Sequence, residues 1–198
     1  MGDDRTRPRS FHIGGRTSAV GIDRKRGRSM IVTVRPFGRL FPQHRQAPYQ
    51  TAYPVHKLCE VAFLSRVSAE AFIPDGSESV ISITDRGAEP ADLKDGWNSI
   101  LRIQFNDVDT DEDDTEELEL ELGEITEEEA EEIANFALQA ANVSEVLVVH
   151  CRFGQSRSPA VAKAICEHFK LDFPPDFTTH NRLVQRLVRN ALSRHSAA

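Results

Sequence analysis

Short apolar runs recur through the last two thirds of the chain and predict strands. The clearest lie at 61–64, 80–83, 100–105 and 146–149. The last is continuous enough to indicate a buried central strand, since strands covered on both faces lose the alternation of apolar and polar positions. An earlier run at 30–34 predicts a first strand.

Helical patterns lie between and after these runs. Thr126 and Glu129 have the spacing of a capping box and predict the start of a first helix. A second helix is predicted directly after the run at 146–149, and a third over 178–193, because apolar residues recur there with the 3.6-residue period. The predicted inward positions are Ala130, Ile133, Ala134 and Ala137 in the first helix, Val161, Ala164, Ile165 and Phe169 in the second, and Leu183, Val184, Leu187, Val188 and Ala191 in the third. Strands that alternate with helices predict an α/β fold, with a central, mostly parallel sheet flanked by helices.

Charge divides the chain into unlike segments. Its net charge is −7, yet residues 1–50 carry eleven Lys or Arg and only three acids. Residues 107–132 carry sixteen acids and no Lys or Arg. We therefore expect a disordered basic tail over 1–29, a single domain over 30–198 and an acidic insertion at about 109–124. An acidic domain is not expected to bind nucleic acid.

Three cysteines are present, at positions 59, 151 and 166. This small, odd number argues against a disulfide framework and favours a reducing, cytoplasmic compartment. Cys59 and Cys166 are expected to be ordinary core residues. No apolar stretch is long enough for a membrane helix, and no Cys/His cluster indicates zinc, so we expect neither a membrane nor a metal partner.

The segment 145–169 combines the predicted central strand, a short polar loop and the predicted second helix. Gly154 permits a left-handed backbone in the loop, and Pro159 suits the first turn of a helix. Backbone N–H groups at such a helix N-terminus form an anion site. Cys151 stands at its start, where the thiolate is favoured, and Arg157 can grip two oxygens of a phosphate.

His150-Cys151, five residues, and then Arg157-Ser158 resemble the HCx5R[S/T] signature of protein tyrosine and dual-specificity phosphatases, including their compact bacterial members. The likeness is strongest over about 145–170. It implies that Cys151 attacks phosphorus and forms a phosphocysteine, while Arg157 binds the phosphoryl oxygens. Ser158 would assist departure of the thiolate, and His150 would brace the loop. The residues implied to bind substrate, through backbone N–H groups, are Arg152, Phe153, Gly154, Gln155, Ser156 and Arg157.

The leaving group needs a proton donor, which in this family is an Asp that precedes the Cys. Asp107 is the first choice because it comes soonest after the run at 100–105. Asp109 is the second choice, and Asp85, which follows the run at 80–83, is the third.

The resemblance implies a protein phosphatase for phosphotyrosine, with phosphoserine and phosphothreonine also open, that acts on a phosphorylated protein without a cofactor. Two alternatives remain at this point. One is a phosphatase of other phosphoesters, such as phosphoinositides or RNA 5′ ends, although the loop lacks the Lys residues that a multiply charged substrate favours. The other is a phosphopeptide-binding module without activity, which the intact Cys151 and Arg157 disfavour.

Overall fold

The computed structural model of the chain describes residues 19–23, 28–32, 56–109 and 123–196. Four parallel strands form the central sheet in the order β3-β6-β4-β5. The elements in chain order are β1 (Ala19–Asp23), β2 (Arg28–Val32), β3 (Glu60–Ser65), α1 (Arg66–Ala71), β4 (Glu78–Thr84), β5 (Ile100–Gln104), α2 (Glu127–Val143), β6 (Val146–Cys151), α3 (Arg157–Phe169) and α4 (Arg182–Ser196). The predicted α/β class is confirmed.

Both faces of the sheet are covered, which explains the continuous apolar runs. Alternate strand residues such as Val61, Phe63 and Val149 pack in the larger core with α2, α3 and α4. The residues between them, including Leu64 and Val148, belong to a smaller core on the opposite face with Phe72 and Trp97 partly buried against it. The four predicted strands are present, each with slightly different ends. Helix α1 was not predicted, because its six residues are too short to show a helical period.

The predicted helices are present, and one of them begins at a different residue. The capping box of Thr126 and Glu129 forms at the start of α2. Helix α4 begins at Arg182, four residues later than predicted. The reason is that Asn181 accepts a hydrogen bond from the Val184 backbone N–H through its side-chain oxygen, at 2.9 Å, which fixes the N-terminus there.

Two short strands lie within or next to the segment that was expected to be a disordered tail. Strands β1 and β2 pair in antiparallel fashion, so residues 19–23 and 28–29 are extended. Val20 and Ile22 supply a short two-residue period that the surrounding Arg and Gly residues obscured in the sequence. The remainder of 1–29, together with 33–34 from the predicted first strand, lies outside the described residues.

The predicted acidic insertion lies mostly outside the described residues, but both of its ends are described. The Asn106 backbone N–H donates to the Gly123 carbonyl at 2.7 Å, so the segment leaves and rejoins the domain at one point. Arg86 stabilises this junction by donating to the carbonyl oxygens of Gly123 and Glu124 and by pairing with Glu129. Along the described residues, no helix has the length and apolarity that crossing a membrane requires.

Candidate active site

The carboxyl ends of the parallel strands gather the predicted reactive residues at one edge of the sheet. Cys151 is the last residue of β6, while Asp85 directly follows β4. Asp107 comes three residues after the end of β5. Parallel strands end on the same side, so residues distant in sequence lie close together there.

Gly154 lets the loop after β6 fold back against β3. Its φ is +69°, a left-handed conformation that favours glycine. A Cβ at this position would lie 2.7 Å from both the Leu64 carbonyl carbon and the Ser65 nitrogen. Position 154 therefore requires glycine for two reasons, the left-handed backbone angle and the close approach of the loop to the end of β3.

The N-terminus of α3 differs from those of the other described helices. Ser65 caps α1 and Thr126 caps α2, each with a side-chain oxygen, and Asn181 caps α4. Ser156 stands at the same position before α3 and makes no side-chain cap. Its hydroxyl instead donates to the Asp107 Oδ1 atom at 2.7 Å. The first N–H groups of α3, beside Cys151 and Arg157, therefore lack the side-chain cap that the other described helices have.

The Arg157 side chain is buried, with 3% of its surface exposed, and its guanidinium is anchored by two groups. Nη1 donates to the Phe105 carbonyl oxygen, and Nη2 lies 2.6 Å from the Asp85 Oδ1 atom. Nε is buried and has no hydrogen-bond partner among the described residues; it lies 3.9 Å from the Asp107 Oδ2 atom. Because a guanidinium carries five N–H donors, this anchoring leaves donors available for an anion.

Ser158 lies where a serine could influence the Cys151 sulfur. The Sγ of Cys151 and the Oγ of Ser158 are 3.2 Å apart, and the same hydroxyl is 3.4 Å from the Leu64 carbonyl oxygen. Both residues are buried. The hydroxyl proton can therefore be directed to the sulfur or to the carbonyl oxygen.

The other two cysteines have different environments. Cys166 is buried in α3 as expected, and burial, reinforced by Asp172 and Glu167, raises its pKa to about 12, so it remains a thiol at neutral pH. The expectation that Cys59 is a core residue was wrong. Cys59 is exposed because it precedes β3 at the far end of the sheet, where its thiol donates to the Glu145 carbonyl oxygen.

The three candidate proton donors occupy different positions. Asp107 lines the same cleft as Cys151 and Arg157. The Oδ1 of Asp109 accepts hydrogen bonds from the backbone N–H groups of Arg182 and Leu183, at 2.9 and 3.1 Å. The Asp109 carboxylate therefore stabilises the N-terminus of α4. Asp85 pairs with Arg157 and lies 3.6 Å from Arg152. Of the three, Asp107 is the one that lines this cleft.

His150 lies outside the cleft and is fully buried. Burial, with smaller contributions from Arg66 and Arg102, lowers its pKa from 6.5 to about 4. The imidazole is therefore neutral at pH 7.

The cleft has a volume of about 400 Å³ and brings most of the predicted site residues together. Its lining residues are Asp107, Cys151, Phe153, Gln155, Ser156, Arg157, Thr179 and His180. Gly154 and Arg152, which were also predicted to bind substrate, do not line it: Gly154 packs on β3, while the Arg152 side chain lies over the Phe153 ring. Thr179, His180 and the neighbouring Asn181 were not predicted, because their pattern was interpreted as part of a helix that begins at 178. The capping preference of Asn before an apolar period was the signal that could have identified Asn181.

Comparison of the chain with protein-family models, with curated proteins and with solved structures returned no match.

Proposed function

We propose that this protein is a phosphatase that hydrolyses phosphotyrosine in a phosphorylated protein through a phosphocysteine intermediate. The observation that carries the proposal is the uncapped N-terminus of α3, placed between Cys151 and the buried Arg157. A helix N-terminus whose capping side chain turns away is suited to an anion, because its N–H groups and its dipole both favour negative charge.

In the first proposed step, the Cys151 thiolate attacks phosphorus as a bond to the leaving oxygen breaks. The sulfur–phosphorus bond forms, and a protonated Asp107 transfers its proton to the departing oxygen. Arg157 and the N–H groups of the loop and α3 hold the nonbridging oxygens. They stabilise the negative charge on those oxygens in the transition state.

In the second proposed step, the Asp107 carboxylate accepts a proton from water while the water oxygen attacks phosphorus. The sulfur–phosphorus bond breaks, inorganic phosphate leaves and Cys151 returns as a thiolate. The Ser158 hydroxyl, 3.2 Å from the sulfur, donates a hydrogen bond to this thiolate and makes it a better leaving group.

The walls of the cleft favour an aryl phosphate over a small alkyl one. Phe153 lines the cleft with 59% of its surface exposed, and His180 contributes a second flat ring. Aromatic rings gain free energy from stacking on such surfaces. A reducing cytoplasm suits the proposed activity, because it keeps the Cys151 thiol from being oxidised.

The test is hydrolysis of 4-nitrophenyl phosphate, without added metal, by the wild type, Cys151→Ser and Cys59→Ser. The proposal predicts that Cys151→Ser loses at least about a hundredfold in kcat, because a hydroxyl is a much weaker nucleophile than a thiolate. Cys59→Ser should retain full activity. Equal activity of the wild type and Cys151→Ser would show that the proposed mechanism is wrong. A phosphotyrosine peptide assayed beside a phosphoserine peptide tests the substrate preference.

A further inference from the structure

We propose that Asn181 is a positioning residue that holds Asp107 for proton transfer by joining the segment 107–109 to the N-terminus of α4. The inference rests on the phosphatase function proposed above. Asn181 lies 74 residues from Asp107 in the sequence, and no motif connects the two.

The orientation of the Asn181 carboxamide is fixed from two sides. Its oxygen accepts the Val184 N–H at 2.9 Å, which requires an acceptor at that end. Its nitrogen donates to the Val108 carbonyl oxygen at 2.7 Å, which can only accept, and to the Asp107 Oδ1 atom at 3.2 Å. A flipped amide would lose all three hydrogen bonds. Because the residue is only 1% exposed, water could not easily replace them.

A second set of hydrogen bonds runs in the opposite direction between the same two segments. Asp109 accepts the N–H groups of Arg182 and Leu183 through its Oδ1 atom. The Asn181 side chain therefore contacts residues 107 and 108, while the Asp109 side chain contacts the backbone at the start of α4. The segment that carries Asp107 is held at both ends against one rigid helix.

This arrangement distinguishes the two carboxylate oxygens of Asp107. Oδ1 accepts hydrogen bonds from Ser156 at 2.7 Å and from Asn181 at 3.2 Å. Oδ2 lies 3.9 Å from the Arg157 Nε atom, on the side of the phosphate-binding arginine. Because two donors already occupy Oδ1, Oδ2 is the oxygen that remains to face a leaving group.

Substitutions at position 181 can separate this role from the capping of α4. Asn181→Ser keeps a good helix cap but is too short to reach Asp107. Asn181→Asp also keeps the cap, and it replaces the N–H donor with a carboxylate oxygen that repels Asp107. Asn181→Ser should therefore retain most of the stability of the fold while it loses the contact with the proton donor. Asn181→Asp should be less stable, because it buries a carboxylate against the Val108 carbonyl oxygen and Asp107.

The experiment compares kcat for phenyl phosphate, whose leaving group needs a proton, with kcat for 4-nitrophenyl phosphate, whose leaving group needs it less. Asn181→Ser and Asn181→Asp are measured in the wild type and in the Asp107→Asn background, and their stability is measured by urea unfolding. We expect kcat for phenyl phosphate to fall about tenfold more than kcat for 4-nitrophenyl phosphate, with KM little changed. In the Asp107→Asn background the same substitutions should have almost no further effect, because the residue they act through is gone.

The positioning role would be overturned if kcat fell equally on the two substrates. It would also be overturned if the position-181 variants lowered kcat in the Asp107→Asn background as much as in the wild type. Either result would leave Asn181 as a structural cap. A different result marks failure of the proposed function: if the wild type hydrolyses neither ester, or if Cys151→Ser is as active as the wild type, the phosphatase mechanism is wrong and the positioning role falls with it.

Discussion

Replacement of Gly154 by alanine tests whether the loop after β6 depends on its close contact with β3. The substitution adds one methyl group at a residue whose φ is +69°. That methyl would lie 2.7 Å from two backbone atoms at the end of β3. The backbone of β3, which is paired with β6 at this point, cannot turn aside as a flexible side chain can, so the loop itself must move.

The cost has two parts. An alanine in the left-handed region costs about 1–2 kcal/mol, and forcing a methyl into a packed contact costs about 1–3 kcal/mol more. We therefore expect Gly154→Ala to lower the free energy of unfolding by roughly 2–5 kcal/mol, which a domain stable by about 5–15 kcal/mol survives.

Gly87→Ala is the matched control. Gly87 has nearly the same φ, +72°, but a Cβ there would meet no atom within 4 Å. Only the first part of the cost applies, and both variants share the entropic gain from a stiffer unfolded chain. The difference between them, about 1–3 kcal/mol, isolates the contact between the loop and β3.

Urea unfolding of both variants measures the two free energies, provided that the dependence on urea concentration is the same for each. Hydrolysis of 4-nitrophenyl phosphate measures the position of the loop. Gly154→Ala should lose at least about tenfold in kcat, because the N–H groups that are proposed to hold the phosphate shift with the loop. Gly87→Ala should stay near the wild type. Equal stability and equal activity of the two variants would refute this explanation of the loop.

Three other predictions concern Arg157, Asp107 and His150. Arg157→Lys should weaken inhibition by vanadate by roughly 10- to 100-fold, since a hydrogen bond to a charged group contributes about 1.5–3 kcal/mol. Arg182→Lys changes an exposed residue and is the control, which should leave inhibition unchanged. Asp107→Asn should lower kcat for phenyl phosphate by about a hundredfold and for 4-nitrophenyl phosphate by less, and the same pattern from Asp109→Asn would move the proton donor by two residues. Because the pKa of His150 is lowered to about 4 in the folded protein, the unfolded chain binds the extra proton below pH 6.5. Stability should therefore fall on acidification, by about 2 kcal/mol between pH 7 and pH 5. Urea unfolding at both pH values should show this loss in the wild type and a smaller one in His150→Asn; equal losses would mean that His150 does not cause it.

The sequence predicted the sheet and the principal helices well because their signals are local. The run at 146–149 is apolar on both faces, and the structure buries it between two layers. The capping box before α2 also formed as its spacing indicated. Helix α1 was missed because six residues are too few to establish a helical period, and strand β1 was missed because its apolar residues stand among Arg and Gly.

The candidate site was predictable where its residues adjoin in sequence or, as for Asp107, closely follow a predicted strand. Cys151, Arg157 and Ser158 lie within one loop and one helical turn, so their spacing revealed them. Asp85, which holds Arg157, and Asn181, which contacts Asp107, are brought there by the parallel order of the strands and by the start of α4. No local sequence pattern indicates such a contact. The choice between Asp107 and Asp109 likewise depends on a distant contact, because the Asp109 carboxylate accepts hydrogen bonds from the N-terminus of α4.

The most direct test of the proposed phosphocysteine mechanism is to look for phosphate on Cys151 during turnover. The wild type and Ser158→Ala are mixed with 4-nitrophenyl phosphate, quenched rapidly by denaturation and examined by mass spectrometry. We predict one added phosphate on the peptide that contains Cys151, in a larger fraction of Ser158→Ala molecules, because the phosphocysteine breaks down more slowly without the Ser158 hydroxyl. Sustained hydrolysis with no phosphate on Cys151 in either protein, or with phosphate on another residue, would contradict the account.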